Sequence, residues 1–183
     1  MNYVLGMSEH VGTPHYEAEI RRTTHGVAHI RAASLPDVFF GQGYACAADH
    51  LPTIADQVLK VRSERAAFFG RGEGDVHLNS DLGYLAMDVT TWAERMAATQ
   101  PPELVAIVDA YAAGINRWLA EHGTASLPEW CRDAPWIRPV TTLDLFRLYA
   151  DAALMASGRN LRSSSGRPAR PAPSTTARVL PAP

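Results

Sequence analysis

Tyr16-Glu-Ala-Glu-Ile-Arg-Arg22, Thr23-Thr-His-Gly26 and Val27-Ala-His-Ile-Arg31 form the stretch from which the fold is read. The outer two segments alternate apolar and polar side chains with period two, and Gly26 supplies the backbone freedom of a turn between them, so they predict a β-hairpin. Directly after it the period changes. Ser34 followed by Asp37 has the form of a capping box, because hydroxyl and carboxylate can satisfy free N–H groups of a first turn, and it predicts a helix to about Ala48. Pro52 is tolerated in a first helical turn, and Ile54, Val58, Val61 and Phe68 then recur at helical spacing up to a stop at Gly70, which predicts a second helix.

Residues 71–83 are rich in Gly, Asp and Asn without periodicity and read as a loop, with at most a short turn at Asn79-Ser80-Asp81. Residues 92–99 predict a short helix. Pro101-Pro102 opens a stronger one, whose stripe of Leu104, Val108, Tyr111, Ile115 and Trp118 ends before Gly123. Residues 125–140, broken by Pro128, Pro135 and Pro139, read as a loop pinned by Trp130 and Trp136. Thr141 with Asp144 repeats the capping box and starts a last helix, carrying Leu145, Leu148, Leu154 and Met155 to about Gly158. The expected fold class is therefore α+β and mostly helical, an N-terminal hairpin followed by four to five helices. Residues 1–15 are an N-terminal arm, 16–158 the folded unit, and 159–183 an Arg/Pro/Ala/Ser-rich tail expected to be disordered, since it has five Pro after residue 167 and no aromatic side chain to bury.

The chain's 183 residues, 46% hydrophobic and 20% charged, suffice for one core. The net charge of −2 is divided unevenly: residues 1–158 hold 12 basic and 19 acidic residues, whereas 159–183 hold five Arg and no acid. Sixteen of the seventeen basic residues are Arg and Lys60 is the lone lysine, a pattern read as GC-rich coding bias. The basic tail lacks stacking aromatics and any groove-reading motif, so no nucleic-acid partner is expected. Cys46 and Cys131 are too few and too far apart for a disulfide scaffold or a zinc site, and are left as paired or free. No apolar run reaches membrane-spanning length and residues 1–16 lack a secretory pattern; the compartment is left open.

The residues that might carry chemistry have plainer readings. His25 and His29 have helical metal-ligand spacing but fall at a turn and a strand. Asp49 and His50, adjacent on a helix, do not face each other, and a helix-boundary role fits better. Gly41-Gln42-Gly43-Tyr44 lacks the third glycine and the strand-to-helix setting of a phosphate loop, so its glycines are expected to admit another backbone or strand at close range. Ser163-Ser164-Ser165 has no nucleophile elbow, and neither cysteine has a partner that would activate it. Read this way, the chain offers no catalytic residue, no metal ligand and no cofactor site.

Taken as one run, Ile20-Arg-Arg22, Gly26-Val27, His29-Ile30, Ala32, Asp37, Phe40-Gly-Gln-Gly-Tyr44, Ala47 and Asp49 resemble the opening of the penicillin amidase family. Asp75 and Tyr111-Ala-Ala-Gly-Ile-Asn116 resemble two further landmarks, so the likeness covers residues 16–158. Ser63-Glu-Arg65 with Phe69-Gly70 is more similar to the aculeacin, cyclic-lipopeptide and acyl-homoserine-lactone acylase branch than to the penicillin G branch. Ala28 and His50 depart from the family pattern, which has Pro and Arg or Asn there.

This resemblance implies the α segment of an N-terminal-nucleophile hydrolase of αββα fold, made as a self-cleaving precursor. In such enzymes a β chain supplies a terminal serine whose own amine, titrating near neutrality, serves as base, and it supplies an oxyanion hole. The expected partners are that β chain and an N-acyl small-molecule substrate: a lipopeptide, an acyl-homoserine lactone or a β-lactam side chain. The last helix is implied to line the acyl pocket, with Ala153, Ala156 and Ser157 facing it and leaving room for a long acyl chain. Some members bind calcium through an acid shortly after this helix; Leu161-Arg162-Ser163 has none, so no metal ligand is assigned. Where the family continues to a Gly-Ser-Asn cleavage junction, the tail diverges as a frameshift near Leu161 would make it, and the chain is expected to be truncated and inactive alone. The alternative expectation is a non-enzymatic helical module docking on a separately encoded β chain or another protein. Either way, apolar surface left uncovered predicts association or poor solubility.

Overall fold

The computed structural model describes residues 2–5 and 15–158, with the backbone alone described for residues 2–5, 157 and 158. The tail expected over 159–183, and Ser163-Ser164-Ser165 within it, lie outside the described residues. The alternating segments form the predicted hairpin of β2 (Ala18–Arg22) and β3 (Ala28–Arg31), with Ile20 opposite Ile30. The Thr23 N–H donates to Val27 O and the Gly26 N–H to Thr23 O, both at 3.0 Å, and Gly26 takes a φ of 81°. Within the N-terminal arm, β1 (Asn2–Leu5) adds a third antiparallel strand beside β2.

Among the described residues six helices follow rather than four or five: α1 (Leu35–Val61), α2 (Arg65–Phe69), α3 (Val76–Ala86), α4 (Val89–Thr99), α5 (Pro102–His122) and α6 (Thr142–Gly158). The two helices expected on either side of Pro52 are one. Proline has no N–H to return to residue 48, and the strain is taken up two residues earlier at His50, whose φ of −139° and ψ of 18° bend α1 without ending it. His50 is thus a bend inside α1 rather than the helix boundary its sequence position suggested. The far end also differs: α1 stops at Val61, Ser63 takes a φ of 59°, and Phe68 belongs to the separate α2.

Residues 71–83 are not a loop. A 3₁₀ turn (Glu73–Asp75) leads into α3, and Asn79-Ser80-Asp81 lies inside that helix. Local composition is overridden by tertiary contacts, because Asp81 is buried and accepts the Arg65 and Ala66 N–H groups at 3.2 and 2.7 Å, capping α2, while Tyr84 is buried one turn further on. In the connection before α6, Trp136 is buried edge-on to Phe69, but Trp130 stacks outside it and is 71% exposed, so one tryptophan pins this segment, not two. Cys46 and Cys131 are both free thiols.

The core forms where α1 crosses α5. A Cβ on Gly43 would stand 2.1 Å from Tyr111 O, and one on Gly114 would stand 2.0 Å from Phe40 O, so each helix presents bare backbone to the other. Gly41 does the same for the sheet, 2.8 Å from Ile30 Cγ2 and 2.9 Å from Ala18 Cβ. The close-approach role expected of Gly41 and Gly43 is what they perform. Phe40, Leu51, Leu59, Ile115 and Phe146 fill the space around this crossing. No helix among the described residues is long and apolar enough to cross a membrane.

Candidate functional site

The motif residues that suggested a family prove to be fasteners between elements, and one of them, Asn116, holds the backbone that leads into α6. Arg22 donates to Asp49 and to the carbonyls of Gly26 and Ala45, tying the hairpin to α1. Asp37 accepts the Ser34 hydroxyl at 2.6 Å and the Glu17 N–H at 3.0 Å, so it closes the helix cap and holds the entering strand. Asn116 of α5 clamps the backbone ahead of α6 through both its amide atoms, with Nδ2 donating to Val140 O at 2.8 Å and Oδ1 accepting the Val140 N–H at 2.7 Å. Beside it, burial and then a hydrogen bond with Cys46 push the Tyr111 phenol well above its ordinary range. Asp75, the other landmark, makes an exposed fork with Arg71, which holds its carboxyl below the ordinary value.

α6 itself begins at Thr141 as the capping box predicts. The Asp144 N–H donates to Thr141 Oγ1 at 3.2 Å, and Asp144 Oδ2 accepts the Thr141 N–H and hydroxyl at 2.8 and 2.6 Å. The same carboxylate, 0% exposed, receives a two-bonded fork from Arg62 at the end of α1, at 2.7 and 2.5 Å, and Arg147 at 2.9 Å. Burial by itself pushes the carboxyl up; the hydrogen bonds from Arg62 and Thr141 outweigh it and hold Asp144 at about 2. A second buried carboxylate, Asp151, meets Lys60 of α1 at 2.8 Å and accepts the Tyr84 hydroxyl of α3 at 2.5 Å.

Beyond those anchors the helix emerges from the core. Tyr149, Ala152, Ala153, Met155 and Ala156 are exposed, so two of the three residues expected to face an acyl chain, Ala153 and Ala156, share an open helical surface. The side chain of Ser157 lies outside what the structure describes. The sequence does not single out Tyr84, which directly follows the stretch that reads as a loop, or Asp151, which lies among the apolar residues of the last helix; its one usable signal is the solitary lysine, Lys60. His25 and His29 lie exposed, at the turn and on β3, and among the described residues no three His, Cys, Asp or Glu side chains gather where a metal could sit.

A family model described as penicillin amidase matches residues 17–177. The chain belongs to the penicillin amidase family. It is 39% identical over 135 residues to an acyl-homoserine lactone acylase, PvdQ, of Pseudomonas savastanoi pv. phaseolicola, over 72% of this chain and 17% of that one. It is 32% identical over 150 residues to the aculeacin-A acylase of Actinoplanes utahensis, over 77% of this chain and 19% of that one. Both agree with the branch of the penicillin amidase family to which residues 63–70 pointed. The chain spans less than a fifth of the length of these curated relatives. A thermostable penicillin G acylase from Alcaligenes faecalis shares the fold at a TM-score of 0.68 and 22% identity, over 91% of this chain and 97% of the matched chain.

Proposed function

We propose that this chain is the α segment of an acylase that hydrolyses the amide bond of N-acyl compounds, and that the outer face of α6 lines the acyl site. The supporting observation is the division of α6: one side is fixed to the body by two buried carboxylates, while Ala153, Ala156 and Tyr149 lie open on a surface of small and apolar residues. The relatives named as acyl-homoserine lactone and aculeacin-A acylases support N-acyl compounds as the substrates, and the small side chains of Ala153 and Ala156 leave room for a long acyl group. In this reading the chain gives shape, and a β segment supplies the terminal serine, its amine as base and the oxyanion hole.

The test is the acylase assembled from this segment and its β segment, assayed on N-acyl amides of increasing chain length. Ala153→Leu and Ala156→Leu should each lower kcat/KM for the longest substrate relative to the shortest by about tenfold, since a few methylenes in an apolar pocket are worth that much. An unchanged length profile in both variants would refute the reading. The isolated chain should show no turnover.

The second reading is a non-enzymatic helical module that docks on a separately encoded β chain or another protein. The exposure of Leu85, Trp92 and Trp130 supports it, being large apolar side chains open to solvent. Recovery of a stable complex with no amidase activity would favour it over the first.

A further inference from the structure

The two buried carboxylates of α6 are seven residues apart, and at about 100° per residue that places Asp151 within about 20° of Asp144 around the helix axis. They therefore anchor one edge of the helix at two heights. The lower anchor, Asp144, is fixed by Arg62 just past the end of α1 and by Arg147, whose Nε also donates to Thr90 Oγ1 of α4 at 3.2 Å. The upper anchor, Asp151, is 4% exposed and joins Lys60 of α1 and Tyr84 of α3, and Lys60 also donates to Gln57 Oε1.

On the same helical wheel Tyr149, Ala153 and Ala156 stand about 160°, 200° and 140° from Asp151. They straddle the direction diametrically opposite to it. Packing alone defines this end of α6 weakly: the buried apolar residues of the small second core are Val61, Tyr84, Val89 and Ala150, and around them lie Met87, Met96, Leu148 and Leu154. Thioether side chains repack readily, so they hold a helix in place without fixing its rotation. Hydrogen bonds and an ion pair are directional and do fix it.

We infer that the Lys60–Asp151–Tyr84 cluster is the rotational lock of the outer half of α6, which makes Asp151 a positioning residue for acyl-chain selectivity. The inference rests on the acyl-site reading of α6. It also gives a role to the single lysine in a chain that otherwise uses arginine: its compact ammonium joins Asp151 of α6 to Gln57 of α1 as a point charge, a geometry that a planar guanidinium fork does not reproduce.

The experiment measures kcat and KM over the same acyl series with the assembled acylase carrying Asp151→Asn, Lys60→Arg or Tyr84→Phe. The last removes one hydroxyl and keeps the ring, so it tests the lock even if the charge variants fail to fold. Expected is a change of about tenfold in the long-to-short selectivity ratio for Asp151→Asn and about threefold for Tyr84→Phe, expressed in KM more than kcat. Val108→Ala, a core truncation at the α1–α5 crossing, should lower stability and leave the ratio unchanged. If Ala153→Leu moves the ratio while all three lock variants do not, the lock is overturned and the acyl-site reading stands. If Ala153→Leu and Ala156→Leu also fail, the acyl-site reading falls, and hydrogen exchange decides the lock: faster exchange confined to residues 148–156 in Asp151→Asn supports it, and unchanged or uniformly faster exchange overturns it.

Discussion

The α1–α5 crossing and the seat of α6 lie in one small fold and are built on opposite principles. At the crossing, Gly43 and Gly114 strip side chains away so that backbone meets backbone among Phe40, Ile115 and Trp118. At the seat of α6, Asp144 and Asp151 are taken out of water and satisfied by Arg62, Arg147, Lys60, Thr141 and Tyr84. The contrast separates two tasks. A dry glycine contact sets how close two helices come, whereas a buried ion pair contributes little net stability but specifies one orientation and is costly to break on one side.

The largest effect should come from closing the glycine contact. Gly114→Ala places a Cβ against the Phe40 carbonyl, a backbone atom that cannot swing aside, and should cost roughly 3–5 kcal/mol or abolish soluble expression. A urea midpoint within error of the parent chain would show that the helices can separate without penalty. Next is the α6 seat: Asp144→Asn leaves two arginines facing a neutral amide and should cost about 3 kcal/mol by the same titration.

A milder version of that change is made by acid. The folded carboxyl of Asp144 titrates at about 2 against an ordinary value of 3.8, so its contribution is complete above about pH 4 and disappears as pH falls toward 2. About 2 kcal/mol should be lost over that window, and Asp144→Asn should lose less there than the parent. Stability that is flat in the parent between pH 4 and 2 would contradict the proposed ion network. The smallest effect is at the cap. Thr141→Ala removes one hydroxyl that both accepts from and donates to Asp144, and should lower stability by about 1 kcal/mol while α6 stays helical by circular dichroism.

The same contrast explains which parts were legible beforehand. The apolar stripe of α5, both capping boxes and the paired glycines announce themselves through period, spacing and residue type, and they make up the crossing and the start of α6. α3 did not, because Asn79, Ser80 and Asp81 weigh locally toward a turn, and only Asp81 capping α2 and Tyr84 reaching Asp151 justify a helix there. At Pro52 the sequence suggests a helix start because proline favours first turns, whereas the helix runs through it by bending at His50. For α6, the capping box marks Asp144 in sequence, but neither its burial against Arg62 nor the burial of Asp151 against Lys60 and Tyr84 has a local signal, because those partners lie far away in the chain.

The crossing also has a mechanical consequence. Gly41 rests on the sheet, Gly43 on α5, and Asn116 of α5 grips Val140 at the threshold of α6. Two of these joints are close glycine contacts and the third is a two-bonded amide grip, so a displacement applied at the hairpin passes toward α6 through short, directional contacts. The amino-terminal sheet and the carboxy-terminal helix, over a hundred residues apart in sequence, should behave as the two ends of one stiff lever.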